Sequence, residues 1–588
     1  MKWLYFIFII FIAQSSLLQA QKHDNVWVMG YDSNQFPGFP GIERVILTFE
    51  DSLKIEYSEG EMYMGKTSAV ICDSSGKLLL FSNGCYISSM SDVGIQGSQG
   101  LNPGQIYNIF CSDGDGYNVE NSMIVLPDPG NTSIYHFFHI PGVQLGQFYC
   151  HKNILHTVVD ISANNGQGTT IFKNQIVVND TMHYDGMHAV KHANGRDWWI
   201  IGAKWNSNKY HIMLIDPNGI IAKAQSIGDP TMCDIDWASG QIVFSPDGNK
   251  MARYNPCDDV RLFDFDRCMG QLSTPLHIPV FDSADSLSPL GGVAFSADGR
   301  YLYVGSIRLL YQYDLQAQDI AASRQTVAIS NGVECPLLSR FGYMELGPDG
   351  RLYVHTLAGG NGCMHRIKSP EKEGLSCEVQ QQYLQFQYSY AGFPHFPNFR
   401  LGPIDGSSCD TLGLDNHPLA CWRYDKTGGL GVDFTSVSWY EPDTWWWDFG
   451  DPASGASNQT AERNPSHDFS APGAYEVCLT VSNQYGSDTK CKWVWVSTVS
   501  SNDELGIRND EWRLFPNPTT GLVQWSGLSE GESTTVRVTD ALGRLCFEQE
   551  TTESRADLGG LPDGVYFVTL RLRGNGGLVA AKVVILAK

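Results

Sequence analysis

One turn recurs along this chain and limits what it can fold into. Ser245-Pro246-Asp247-Gly248, Ser296-Ala297-Asp298-Gly299 and Gly347-Pro348-Asp349-Gly350 each join two apolar runs, and their glycines stand 51 residues apart. Asp-Gly between alternating apolar stretches is a hairpin signal, because Asp tolerates the turn and Gly supplies φ > 0 without a Cβ clash. Asn194-Gly195 lies 53 residues before Gly248, and Pro129-Gly130 and Ser75-Gly76 extend the series at spacings of 65 and 54. A hairpin recurring at about 40–55 residues marks a β-propeller with one blade per period.

Each repeat has an apolar run before the turn (Met123 to Leu126, Ile242 to Phe244, Val293 to Phe295) and another after it (Ile134 to Phe137, Trp198 to Ile201, Tyr301 to Val304). A third follows in the better repeats: Ile212 to Ile215, Val260 to Asp264, Leu310 to Asp314. Short strands punctuated by Gly and Asp read as blade sheets, and a blade that cannot bury both faces alone must stack on neighbours until the ring closes. Six turns are countable, and the segments before Gly60 and after Gln380 remain for a seventh blade. The reading favours seven blades, with six as the alternative.

These repeats resemble the propeller domains of exported Bacteroidetes-type proteins over residues 25–425. The resemblance is carried by Val190-Lys191-His192-Ala193-Asn194-Gly195-Arg196-Asp197-Trp198-Trp199, by Phe244 to Gly248, and by Phe393-Pro394-His395-Phe396-Pro397-Asn398-Phe399-Arg400-Leu401-Gly402.

Both ends of the chain point to export. Met1-Lys2 is a short basic start, Trp3 to Ile12 an apolar core, and Leu18-Gln19-Ala20 a small-residue cleavage site, which together read as a signal peptide over residues 1–20. No later apolar run reaches the ~18–20 residues of a membrane helix. The formal net charge of −23 argues against nucleic acid, which needs a basic stripe. Fifteen cysteines suit an oxidising compartment. Sequence proximity suggests the pairs Cys72/Cys85, Cys257/Cys268, Cys363/Cys377, Cys409/Cys421 and Cys478/Cys491, with Cys546 left over. No C-x₂₋₄-C spacing exists for a zinc site.

Past Trp422 the composition changes. Gly428-Gly429-Leu430-Gly431 reads as a linker, followed by Trp447-Asp448-Phe449-Gly450-Asp451, Pro465 to Phe469, Pro472 to Val477 and Leu479 to Asn483. Residues 428–498 resemble a PKD domain, which implies a small Ig-like β-sandwich with Trp447 and Phe449 in its core. Residues 499–512 form a polar linker. The last segment carries Leu514-Phe515-Pro516-Asn517-Pro518-Thr519-Thr520-Gly521, then Val536 to Arg544 with Asp540 and Gly543, then Leu561 to Val568 with Gly564 and Tyr566. Residues 513–588 are similar to the C-terminal sorting domain of the type IX secretion system, a compact all-β module. That resemblance implies passage across the outer membrane, engagement of the secretion machinery, removal of the domain by a sortase-like peptidase, and display at the cell surface or release.

Candidate sites are few. Gly60-Glu61-Met62-Tyr63-Met64-Gly65-Lys66-Thr67 has the letters of a P-loop, but phosphate binding needs a helix after the loop, and Ser68 to Ile71 reads as strand. His188 and His192 share a strand face but stand about 13 Å apart along it, too far for one ion, and His183 has no assigned partner. Asp234/Asp236 and Asp258/Asp259 are carboxylate pairs of the kind a glycosidase uses, with turn capping as the plainer role. In Trp445-Trp446-Trp447 the core role of Trp447 sends Trp446 to the opposite face, where it, with Trp439 or Tyr440, could stack on a sugar ring. No cofactor or metal site is implied. The expectation is a non-catalytic binding or adhesion protein that engages glycan or protein. The alternatives are a polysaccharide-degrading enzyme with carboxylates at the propeller mouth, or a spacer without a ligand.

Overall fold

The computed structural model describes residues 22–30, then 44–497 apart from 113, 115, 146, 147, 231–237, 281–289, 336, 357–360, 391 and 392. It also describes 513–585 apart from 516–520, 527–533, 541–543, 554, 563 and 573–577. The signal segment and the 499–512 linker lie outside the described residues.

The repeated turn builds repeated antiparallel sheets. Gln241–Phe244, Lys250–Asn255, Asp259–Asp266 and Gln271–Ile278 make one four-stranded meander; Gly291–Phe295, Tyr301–Ser306, Leu309–Asp314 and Gln325–Ile329 make the next. Met344–Leu346, Leu352–Val354, Asn361–Ile367 and Val379–Tyr390 form another. The chain starts with two three-stranded sheets, from Val26–Gly30 to Leu53–Ser58 and from Ala69–Cys72 to Ile87–Ser89. Between them and the meanders lies an eight-stranded sheet that is two meanders sharing one strand, Thr169–Lys191. The first half of that strand pairs with Phe148–Asp160, and the second half pairs with Trp198–Lys204. The register shift between Met182 and Met187, with Gly186 at φ +75°, turns the strand from the edge of one sheet into the innermost strand of the next.

The first strands of successive sheets pack side by side, and Val26–Gly30 packs on Val379–Tyr390. Trp27 seals that junction, its ring centroid 5.4 Å from that of Tyr353 and 4.9 Å from that of Phe49. The ring is an all-β propeller whose sheets bury apolar residues on both faces, as in Tyr301–Ser306, where all six residues are buried.

The turns repeat because they are chemically self-sufficient. The side-chain oxygen of Asp73, Asp247, Asp298 and Asp349 accepts the backbone N–H two residues on, and the same cap recurs at Asn194. In two of them Ser245 and Ser296 donate to the aspartate and accept the N–H of Lys250 and Tyr301. These side chains replace the backbone partners that a tight turn removes.

A meander places its first and third turns at one end and its second turn, with the crossover to the next sheet, at the other. Cys85–Cys111 and Cys335–Cys363 lie at the crossover end, Cys363 near the start of the strand Asn361–Ile367, and Cys257, also at that end, is disulfide-bonded. Cys268–Cys409 lies at the turn end. The sequence-proximity pairs Cys72/Cys85, Cys257/Cys268, Cys363/Cys377 and Cys409/Cys421 are therefore corrected. Cys72 and Cys377 sit buried as free thiols among sheet residues, and Cys421 is free as well. Cys85 and Cys335 instead meet cysteines 26 and 28 residues farther on, past the nearest turn, and Cys268 meets Cys409. Cys478–Cys491 closes its hairpin, and Cys546 is free and exposed.

By its contacts the chain divides into two units. The first contains residues 1–419 with Trp439–Glu441 and Gln484–Gly486; the second contains Ala420–Ser438, Pro442–Asn483 and Ser487–Lys588. In the second, Trp422–Gly428, Gly431–Ser436 and Ser466–Asp468 form one sheet. Gln459–Thr460, Thr444–Asp448, Gly473–Asn483 and Gly486–Val496 form another. Trp422, Phe434, Trp447, Phe449 and Val494 fill the core. Gly428-Gly429-Leu430-Gly431 is not a linker but a hairpin turn with Gly428 paired to Gly431, because two successive glycines at positive φ close a tight turn as readily as they loosen a chain. Farther on, Arg513–Phe515, Leu522–Ser526 and Arg555–Asp557 make a three-stranded sheet. Leu545–Thr551, Thr534–Asp540, Gly564–Leu572 and Leu578–Ile585 make a four-stranded one. Val523, Trp525, Val536, Tyr566 and Val568 are buried in their shared core.

Candidate functional site

The stretch Phe393 to Gly402 contacts several sheets of the ring. Phe393 packs on Trp27 and His355, His395 on His188, Asn398 donates to the Pro246 carbonyl, and Arg400 pairs with Asp24. These partners, Asp24 and Trp27, His188, Pro246 and His355, belong to different sheets or the turns beside them, so one short segment ties several sheets together. Arg267 holds its exit: the buried guanidinium donates to the carbonyls of Lys191, His192, Asp247 and Gly402. What singles this stretch out in the sequence is its density of Phe, Pro and His.

At the crossover end a charged group sits beneath the loops. Asp185 accepts from Asn255 Nδ2 at 2.6 Å and from Arg253; Arg253 also lies 2.9 Å from Asp258, and Asp258 lies 2.9 Å from Arg261. Burial works against charge on Asp185, but the adjacent His183 and Arg253 more than offset it and hold the carboxyl well below its usual range. Burial and the Arg253 charge lower His183, while Asp185 pulls it the other way. His183, Asp185, Arg253 and Asn255 are fully covered, and Asp258 is 5% exposed, so the group braces the ring and is closed to ligand.

The other sequence candidates disperse. Gly60 to Thr67 is followed by the strand Ala69–Cys72, a Cβ on Gly60 would meet the Arg44 guanidinium, and Lys66 pairs with Glu120 at 2.8 Å, so no phosphate cradle exists there. His188 Nε2 donates to the Phe396 carbonyl and His192 Nε2 to that of Cys268, each 3.1 Å away. No cluster of three or more metal-ligating side chains exists among the described residues. Asp259 bonds the Val280 amide and His277, and Asp258 serves the arginines, which leaves both in structural roles. Asp234/Asp236 lies outside the described residues.

Trp446 is the exception. Its strand neighbours Trp445 and Trp447 turn inward: Trp447 is fully covered, and the Trp445 indole donates to Ser436 Oγ. Trp446 stands opposite Thr480 on the outer face and is 50% exposed. Thr480 and Thr489 hydroxyls meet at 2.8 Å on that face, and the Cys478–Cys491 bridge and the 39%-exposed Trp493 follow along it. Strand spacing puts the two tryptophans about 16 Å apart across the sheet. Sequence reasoning missed Trp493, although its alternation with Val494 and Val496 carries the signal. Tyr440 is corrected as a partner for Trp446: it is buried, at φ +62°, because Leu419 and Trp439 exchange backbone hydrogen bonds beside it. Trp439 lies under the Arg400 guanidinium, 5.2 Å from its ring centroid.

In the last segment, Gly521 accepts the Leu558 amide, and a Cβ there would come within 2.5 Å of Gly559. Asp540 ends a strand opposite Tyr566. Gly564 opens the next strand, and the buried Tyr566 hydroxyl donates to the Pro562 carbonyl at 3.0 Å. Pro516, Asn517, Pro518 and Gly543 lie outside the described residues.

Comparison with known proteins agrees with this division. Residues 426–497 match the PKD domain family, and residues 513–586 match the secretion system C-terminal sorting domain. Among solved structures, the PKD1 domain of the Vibrio cholerae metalloprotease PrtV is 29% identical, covering 14% of this chain and 98% of that one at a TM-score of 0.12. A protein from Lactobacillus plantarum is 13% identical over 63% of this chain and 98% of its own, at 0.38. PorZ, a surface component of the type IX secretion system of Porphyromonas gingivalis, is 13% identical over 93% of this chain and 80% of its own, at 0.22. No curated protein matches the chain. The chain is thus an exported protein, with an all-β propeller, a PKD domain and the C-terminal sorting domain of the type IX secretion system that directs it to the cell surface or the extracellular space.

Proposed function

We propose that this is a surface-displayed or released binding protein. Its signal peptide spans 1–20, a propeller of seven blades 25–425, the PKD domain 428–498, a linker 499–512, and a sorting domain, 513–588, that a sortase-like peptidase removes. Its ligand is an extracellular glycan, and the carrying observation is Trp446, a half-exposed indole between the half-buried Trp445 and the fully covered Trp447. Two exposed indoles, Trp446 and Trp493, share one sheet face, and a flat aromatic ring suits the apolar face of a sugar ring. Trp493 on the same face, about 16 Å away, suits a polymer that reaches both indoles.

The test is depletion of the purified chain by a panel of insoluble polysaccharides, with soluble sugar release measured in the same tubes. Trp446→Ala should weaken depletion roughly tenfold, about 1.4 kcal/mol, while Trp446→Phe retains most of it. Release of sugars would replace this reading with the enzyme alternative. Binding to no glycan in the panel would leave a protein ligand or a spacer role.

A further inference from the structure

The outer face of the sheet that carries Trp446 bears charge of one sign. Trp446 stands opposite Thr480 and Asp448 opposite Cys478, so these four side chains share it. The Thr480–Thr489 hydroxyl contact and the Cys478–Cys491 bridge extend it onto the edge strand Gly486–Val496. Two residues farther in the same register, Glu476 and Trp493 lie side by side, and both are exposed. Each exposed indole thus has a carboxylate for a neighbour. Asp448 keeps its charge: Gln459 Nε2, the Gly450 amide and Asn458 Nδ2 donate to it and hold the carboxyl below its usual range.

The lysines of the edge strand turn the other way. Lys490 and Lys492 alternate with Cys491 and Trp493, and Lys492 donates to the Trp422 carbonyl on the core side. Among the described residues of Thr444–Asp448, Gly473–Asn483 and Gly486–Val496, no lysine or arginine has its place on the Trp446 face. A polymer that reaches both indoles passes Asp448 and Glu476 without meeting a cation of these strands. We propose that this face takes an uncharged polysaccharide and turns away one that bears carboxylates. Glu476 makes the distinction, since its carboxylate accepts sugar hydroxyls and repels an anion in the same place. This rests on the reading of the Trp446 face as a glycan platform.

The test offers the full chain cellulose, chitin and mannan, each beside the same polymer with its primary hydroxyls oxidised to carboxylates, and measures depletion from solution. At least one parent polymer should bind, and its oxidised form should bind roughly tenfold more weakly at low salt, the gap narrowing as salt rises. The ratio of the two affinities is the readout for Glu476. E476K, folded by circular dichroism, should erase that ratio. Equal or tighter binding of the oxidised form by the unaltered chain overturns the proposal, and so does a ratio that persists in E476K. Either result leaves the glycan reading standing as long as Trp446→Ala weakens depletion. Depletion by none of the parents, or depletion indifferent to Trp446→Ala, sinks the glycan reading itself.

Discussion

Gly248 and Gly299 occupy the same place in two copies of one turn, at φ +73° and +72°. They separate two costs that usually arrive together. A Cβ on Gly299 finds nothing nearer than Pro246 at 3.8 Å, whereas a Cβ on Gly248 would come within 2.9 Å of Leu401, Arg267 and Val190. Gly299→Ala should therefore cost only the left-handed backbone penalty, about 1–2 kcal/mol. Gly248→Ala adds overpacking against the Phe393 to Gly402 segment and should cost roughly 1–3 kcal/mol more. Denaturant unfolding of the two variants measures the difference. Equal losses would show that Leu401 and Arg267 yield freely, contrary to the close packing described for this end of the ring.

At the scale of elements, the segment Phe393 to Gly402 and the bridge Cys268–Cys409 act on different states. The bridge joins residues 141 apart in sequence, so it mainly restricts the unfolded chain, and C268S/C409S should lose about 5 kcal/mol on loop entropy. In the folded ring Arg267 and Arg400 still hold the segment. Hydrogen exchange at residues 393–402 should thus remain slow in native buffer while the unfolding midpoint falls. Fast exchange there would show that the bridge, and not the arginines, positions the segment. The same contrast explains what sequence can tell. Asp247-Gly248 and Asp298-Gly299 are legible because each turn satisfies itself within six residues. The partner of Cys85 is illegible because Cys72 is nearer in sequence but points into a sheet, while Cys111 arrives from the loop that crosses to the next sheet. Trp446 was legible from the Trp447 motif by strand alternation alone; Tyr440 was not, because a backbone bridge from Leu419 to Trp439 buries it.

Over the whole molecule, histidine is unevenly placed, and this gives the ring a histidine-linked pH dependence that residues 513–588 do not share. Thirteen of the fifteen histidines precede residue 400, and none lies in residues 513–588. Burial pulls His139 and His156 down to about 3, and His23, His151, His355, His365 and His395 to about 4. A histidine whose folded value lies below its unfolded 6.5 binds its proton only on unfolding, so each costs stability as pH falls from 6.5 towards 4. The slope is about 1.4 kcal/mol per pH unit for each fully engaged group. Glu345 runs the other way: burial raises its carboxyl well above 4.5, so it destabilises as pH rises through that value. Burial raises Asp405 and Glu441 of the same unit as well, and three opposing protons against seven leave the sign unchanged. Hydrogen exchange at pH 7 and pH 5 should therefore show the strands of the ring, such as Trp198–Lys204, opening far more readily at the lower pH. Leu522–Ser526 and Gly564–Leu572 of the sorting domain should respond much less, since no histidine lies in residues 513–588. A loss of protection in the sorting strands as large as in the ring would place the acid sensitivity in carboxylate pairs throughout the chain, and the buried histidines would not be its source.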